Sequence, residues 1–191
     1  EYRKNLGIQL AKETHEDADV VVPVPDSGNA AAIGYSKHVG IDFDLGLIRN
    51  HYVGRTFIEP SQQIRSLGVK LKLNANKSSI KDKKIILIDD SLVRGTTCYK
   101  IVRMLYDAGA KEVHVRIACP EIKFPDFYGV DMPTKKELLA HKKNNSEMCE
   151  YIKAKSLKFL SLDGLYEGLG KGKRNNTYPQ FSDHYFTGDY P

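Results

Sequence analysis

Two adjacent carboxylates, Asp89 and Asp90, follow directly on the apolar run Ile85, Ile86, Leu87 and Ile88. Ser91, Arg94, Gly95, Thr96 and Thr97 come right after them. Like charges side by side at the end of a buried strand repel one another and lose hydration, so their placement is costly unless a ligand uses the charge. Ionised carboxylates only accept hydrogen bonds, which suits sugar hydroxyls, or a Mg²⁺ ion carried mainly by phosphate oxygens. Arg94 to Thr97 falls where a helix should begin. Unpaired N–H groups and the positive end of the helix dipole favour a phosphate there. Gly95 permits close backbone approach, and the two threonines add hydroxyl donors. Acids for hydroxyls beside donors for a phosphate describe a pocket for a sugar phosphate. A second unusual turn, Asp26-Ser27-Gly28, follows Val20, Val21 and Val22. Alone it reads as an ordinary turn, and an isolated Asp-Asp would read as a solvated one. The apolar run ahead of Asp89 and the Arg-Gly-Thr-Thr behind it make the longer pattern specific.

These turns need a scaffold that aims them. Tyr2, Leu6 and Leu10 stand four apart, so residues 1–14 read as a helix with one packed face. Val20 to Val22 read as a strand covered on both sides, stopped by Pro23 and Pro25. Asn29 is the expected N-cap of the next helix and Gly40 its end. Ala30, Ala31, Ala32 and Gly34 would let that helix lie close to a sheet. "DFDLGLI" predicts a second strand. Arg49 to Asp82 is longer than an ordinary connection and reads as a lid or binding loop. Ile85 to Ile88 form a buried strand; Cys98, Ile101, Val102, Leu105 and Ala108 then recur at helical spacing, with Gly109 ending the helix. Val113, Val115 and Ile117 alternate with His114 and Arg116, which predicts one more exposed face. Helices near 135–141 and 146–154, a short strand "LKFL" and a helix "LDGLYEGLG" follow. Strand–helix alternation of this kind predicts an α/β fold, a mainly parallel sheet flanked by helices with a flexible lid loop at about 49–73. One domain over 1–169 and an irregular tail over 170–191 are expected.

The chain of 191 residues is 41% hydrophobic and 28% charged, ordinary values for a globular protein. No apolar run approaches the roughly 18 residues of a membrane span, and the first residues lack the apolar core of a signal peptide. The formal charge of +5 and pI of about 9.0 fit a basic pocket for a phosphorylated molecule; the mixed charges form no stripe for nucleic acid. Cys98, Cys119 and Cys149 are odd in number and widely spaced, which suits a reducing, cytoplasmic setting and no metal cluster. The chain begins at Glu1 without Met and reads as part of a longer one.

"IILIDDSLVRGTT" resembles the phosphoribosyl pyrophosphate (PRPP) signature of type I phosphoribosyltransferases. "VPVPDSGNAAAIGY", "GLIRNHYVGRTFIEPSQQIR", "VKLKLNAN", "PEIKFPDFYGVDMP" and "FTGDYP" narrow the resemblance to the amidophosphoribosyltransferase family, over nearly the whole chain. The resemblance implies a type I phosphoribosyltransferase fold. The reaction it implies converts PRPP, glutamine and water to 5-phosphoribosylamine, pyrophosphate and glutamate, the first committed step of purine synthesis. It gives Asp89 and Asp90 to the ribose hydroxyls and Mg²⁺, with Ser91 beside them. Arg94, Gly95, Thr96 and Thr97 surround the 5′-phosphate. Asp26, Ser27 and Gly28 form the pyrophosphate loop, with Ser27 also near the metal. Arg49 brings positive charge to pyrophosphate. Tyr52, Arg55 and Phe57 close the site and line an ammonia path, Arg49 and Tyr52 being the catalytic candidates.

The family's glutaminase segment, which supplies the ammonia, is expected to lie outside this chain, leaving it at most ammonia-dependent. Purine nucleotide inhibitors and a homo-oligomer are implied as partners. Some relatives carry a [4Fe–4S] cluster on cysteines. Asp126, Ser182 and Tyr185 stand at those places here and cannot supply thiolates, so no cluster is expected. Tyr178, Phe181, Tyr185 and Phe186 are expected to pack the tail or leave it partly disordered. Two other readings share the PRPP motif: a PRPP-sensing transcriptional regulator and a salvage enzyme that adds a base. A nucleic-acid-binding surface and a base-binding hood are not evident in the sequence.

Overall fold

The computed structural model describes residues 1–50, 73–129 and 134–190. Four parallel strands form the central sheet: β1 (Val20–Pro23), β4 (Lys84–Asp89), β5 (Glu112–Ile117) and β6 (Ser156–Phe159), in the spatial order β1-β4-β5-β6. Residues of alternate parity feed two apolar layers. Val20, Val22, Ile85, Leu87, Val113, Val115 and Leu157 pack on α4 (Thr96–Asp107) and α6 (Asn145–Ile152). Val21, Ile86 and Ile88 pack on α1 (Tyr2–Thr14) and α2 (Asn29–Val39). Burial on both faces is why these strands read as continuous apolar runs.

On the α1 side two helices touch backbone to backbone. A Cβ on Gly7 would stand 1.9 Å from the Ala31 carbonyl oxygen, and one on Gly34 would stand 2.0 Å from that of Lys4. Gly34 therefore serves the contact with α1, a use different from the expected approach to the sheet. Leu10 of the predicted face is buried, whereas Tyr2 is 65% exposed. Gly40 ends α2 with φ +73°, the left-handed conformation that glycine adopts without strain.

The structure corrects several expectations. His114 and Arg116 do not face water. Their register beside Ile86 and Ile88 turns them into the layer under α1, where both are buried. Arg116 is satisfied there: it donates to the Thr14 and Val115 carbonyls, to the Ser156 hydroxyl and to Glu16. Asn29 is the first helical residue of α2, and Gly28 occupies the N-cap position. "DFDLGLI" contributes a bridge from Phe43 to Val21 and then leaves the sheet. Its last residues form β2 (Leu47–Arg49), antiparallel to β3 (Leu73–Ala75), so the base of the expected lid is a separate two-stranded ribbon followed by the short α3 (Lys77–Ile80).

The segment near 135–141 splits into a 3₁₀ turn (Lys135–Glu137) and α5 (Leu139–Lys142). The tail is more ordered than expected. After α7 (Leu162–Gly168) it carries α8 (His184–Thr187) and is tied by Arg174 to Asp183 and Asp189 and by Tyr166 to Asp183. Tyr178 is exposed, and Phe181, though partly exposed, lays its ring 5.6 Å from that of buried Tyr166.

Candidate functional site

Both turns singled out by residue type sit together at the carboxyl edge of the sheet. The register pairs Pro23 with Ile88, so the chain leaves β1 and β4 side by side. The Val24 N–H donates to the Ile88 carbonyl at 2.8 Å, and a Cβ on Gly28 would stand 2.4 Å from that same oxygen. Only glycine lets the Asp26-Ser27-Gly28 loop lie this close to the end of β4. The peptide between Pro25 and Asp26 is cis.

Asp89 closes β4, and its Oδ1 accepts the Asp90 N–H at 2.8 Å. The Ser27 side chain lies close enough to that carboxyl to offset part of its pKa rise, which brings the two loops together. Burial pushes the Asp89 pKa well above the usual carboxylate value, and the neighbouring charge of Asp90 adds to the rise. Ser91 donates its hydroxyl to Asp90 Oδ1 at 3.1 Å. Three oxygen-bearing side chains, Ser27, Asp89 and Asp90, thus converge at the edge where open α/β sheets hold ligands. Two carboxylates and a hydroxyl fit a Mg²⁺ ion that takes its remaining ligands from a phosphorylated substrate and water. Among the described residues no cluster of three or more His, Cys, Asp or Glu could hold a metal by itself.

The turn at Arg94 to Thr97 opens a helix, as its place after the strand predicts. Gly95 adopts φ +76° at the N-cap of α4, and Thr96 and Thr97 are the first helical residues. The unpaired N–H groups of that first turn are directed out of the helix end. Gly95 is roofed by Leu139 and Tyr151, whose side-chain carbons would stand 2.6 and 3.0 Å from a Cβ there. The Leu139 N–H holds the Val93 carbonyl at 2.9 Å.

Two ion pairs escaped the sequence reading. Arg94 turns its Nε to Glu137 Oε1 at 3.2 Å, a partner 43 residues along the chain. Arg49, at the end of β2, donates to the Asp26 carboxylate. Neither pairing leaves a local signal. Tyr52, Arg55 and Phe57 lie outside the described residues, as does the rest of the expected lid between Asn50 and Leu73.

A cavity of about 150 Å³ opens beside Ser27 and Asp90. Leu6, Ala31, Ala118 and Leu165 give it mostly apolar walls, with Arg3 and Cys119 also lining it. Burial, with Asp90 and Asp89 nearby, pushes the Cys119 thiol far up, so it stays protonated. Asp126 Oδ1 meets His184 Nε2 at 2.7 Å with both side chains buried, and Ser182 is exposed.

The phosphoribosyl transferase domain family matches residues 3–137. The chain belongs to that family. Several relatives of the chain are longer proteins. An amidophosphoribosyltransferase of Rhizobium etli is 60% identical over 190 residues, 99% of this chain and 38% of that protein. One of Staphylococcus aureus is 49% identical over 189 residues, again 99% of this chain and 38% of that protein. The solved glutamine PRPP amidotransferase of B. subtilis, complexed with ADP and GMP, is 49% identical and superposes with a TM-score of 0.87. That match covers all of this chain and 42% of the solved one. The chain therefore spans about two-fifths of the length of such relatives.

Proposed function

We propose that the chain is the phosphoribosyltransferase portion of an amidophosphoribosyltransferase and transfers ammonia to PRPP, giving 5-phosphoribosylamine and pyrophosphate in purine synthesis. The observation that carries this reading is 60% identity to such an enzyme over 99% of the chain. In this reading residues 1–169 form the transferase domain and 170–191 its tail.

The 5′-phosphate docks on the first turn of α4, on the backbone of Gly95 and the Thr96 and Thr97 hydroxyls, with Arg94 adding charge. Asp89 and Asp90 accept the ribose 2- and 3-hydroxyls, and Ser91 steadies Asp90. The loop at Asp26, Ser27 and Gly28, with Arg49, receives pyrophosphate. Ser27, Asp89 and Asp90 would hold Mg²⁺, whose charge makes pyrophosphate a better leaving group. The bond from the ribose C1 carbon to pyrophosphate breaks, C1 becomes cation-like, and the ammonia lone pair forms the new C–N bond and then sheds a proton. Little acid–base help is needed. Placement and fixed charges dominate, and such groups are worth several kcal/mol in a dry site. The mostly apolar cavity beside Asp90 has room for an uncharged nucleophile such as ammonia.

Purine nucleotides are proposed inhibitors, a homo-oligomer the proposed assembly, and the cytoplasm the proposed location. Glutamine is proposed as the ammonia source only through a glutaminase segment outside these 191 residues. Pyrophosphate release from Mg²⁺–PRPP, measured with ammonia and then with adenine, guanine and orotate, tests the reading. Release with ammonia is expected; release with a base but not ammonia would overturn it.

A further inference from the structure

Asp26 is an oddity of charge. It lies in the loop assigned to pyrophosphate, yet a carboxylate only accepts hydrogen bonds and repels an anion. What Asp26 does hold is the Arg49 guanidinium.

The two ends of that contact are anchored differently. The loop bearing Asp26 is fixed, because Gly28 is wedged against the Ile88 carbonyl and its N–H bonds Val24 at 2.9 Å. Arg49 is the last residue of β2, and Leu47, two residues earlier, is rooted in the core. The backbone of Arg49 is thus placed, while its long side chain has many rotamers to choose from. The pair is partly exposed, with the Arg49 side chain 33% and the Asp26 side chain 52% accessible, so it adds little to stability. Among the described residues the Arg49 bond to Asp26 runs through one terminal nitrogen, Nη1. A guanidinium carries five N–H donors, so that one bond engages a small part of its fork.

We propose that Asp26 is a positioning residue: it holds Arg49 over the pyrophosphate loop so that the guanidinium is already in place when the anion arrives. The proposal rests on the reading of this site as a PRPP site. The cost of ordering a flexible cation is met in the free protein, which lowers the cost of binding.

Kinetics of the complete natural polypeptide with ammonia test it. At saturating Mg²⁺, Asp26→Asn should raise the KM for PRPP roughly three- to fivefold, the size an exposed ion pair supports, with kcat changed less. Asp26→Glu should restore most of the loss. Arg49→Met should raise KM at least as much, and Asp26→Asn added to it should cause no further loss. Thermal midpoints should not move. Additive effects, a fall in KM, a raised Mg²⁺ requirement in Asp26→Asn, or a lower midpoint with unchanged KM would each overturn the assignment. Titration of inorganic pyrophosphate by calorimetry separates the two levels. Non-additive losses in Kd with no ammonia-dependent turnover in any variant would keep the positioning role and sink the proposed reaction.

Discussion

Asp89 and Asp183 are both drawn away from water, and they titrate in opposite directions. At the sheet edge burial raises Asp89, and its neighbour Asp90 makes matters worse. In the tail burial also pushes Asp183 up, but hydrogen bonds from Arg174, Tyr166 and Thr187 outweigh it and hold the carboxyl below its usual range. Arg174 grips both oxygens of Asp183, at 2.6 and 3.2 Å, and reaches Asp189 at 2.6 Å. The tail spends its charges on itself. The sheet edge leaves its acids in want of a cation, which is how a site awaiting a ligand differs from a structural knot.

Substitution at the two aspartates should therefore give opposite profiles. Asp89→Asn should lower kcat/KM for PRPP roughly a thousandfold, the several kcal/mol of charge stabilisation that a held metal supplies. Its unfolding free energy should stay level or rise, because a repelled buried charge has gone. A clear loss of stability in urea unfolding would put Asp89 in the same class as Asp183 and dissolve the contrast. Asp183→Asn should do the reverse. It strips Arg174, 8% exposed, of its main partner and should cost about 3 kcal/mol in the same assay, with kcat/KM of the folded protein unchanged.

Acid should sharpen the difference further. Asp183 has a depressed folded pKa, so its contribution is complete above the unfolded carboxylate value near 4 and is lost as pH falls through the folded pKa. Asp89 has a raised folded pKa, so the native state binds the extra proton between the unfolded and folded values. Its contribution falls as pH rises through that interval. Urea midpoints of the ligand-free protein are expected to rise on mild acidification from neutrality and to collapse below about pH 4. Asp89→Asn should remove the rise and keep the collapse. A rise that survives in Asp89→Asn would assign it to another group.

The parts of this contrast that the sequence displays are the local ones. Asp89 and Asp90 are conspicuous because an apolar run ends in them, and Gly40 and Gly95 because a helix end or turn there takes positive φ. Val20 to Val22 and Ile85 to Ile88 read correctly as doubly covered strands for the same reason. His114 and Arg116 were misleading because alternation looks alike on a half-exposed strand and on a buried one whose polar groups are satisfied; Thr14, Glu16 and Ser156 satisfy them from distant parts of the chain. "DFDLGLI" has strand composition, but only Phe43 meets the sheet. The links of Arg49 to Asp26, Arg94 to Glu137 and Arg174 to Asp183 depend on how segments fold back, and no periodicity encodes them. The tail looked irregular because its order comes from such side-chain bonds more than from repeating backbone structure.

Tyr166 offers the finest cut between the two regions. Its hydroxyl donates to Asp183 Oδ2 at 2.7 Å, and its ring is fully buried 5.6 Å from that of Phe181. Burial, with Asp183 alongside, pushes the phenol up to about 12, so it remains a donor throughout the neutral range. Tyr166→Phe deletes that one bond and keeps the ring contact. Arg174 and Thr187 still serve Asp183, so the loss should be about 1 kcal/mol, smaller than for Asp183→Asn. The depressed titration of Asp183 should relax upward, moving the acid collapse to slightly higher pH. The KM for PRPP should not change. Tyr166 belongs to α7, which also supplies Leu165 to the cavity wall beside Asp90. A shift in KM without a shift in stability would mean that α7 carries the state of the tail to the sheet edge, and the two regions would then have to be treated as one.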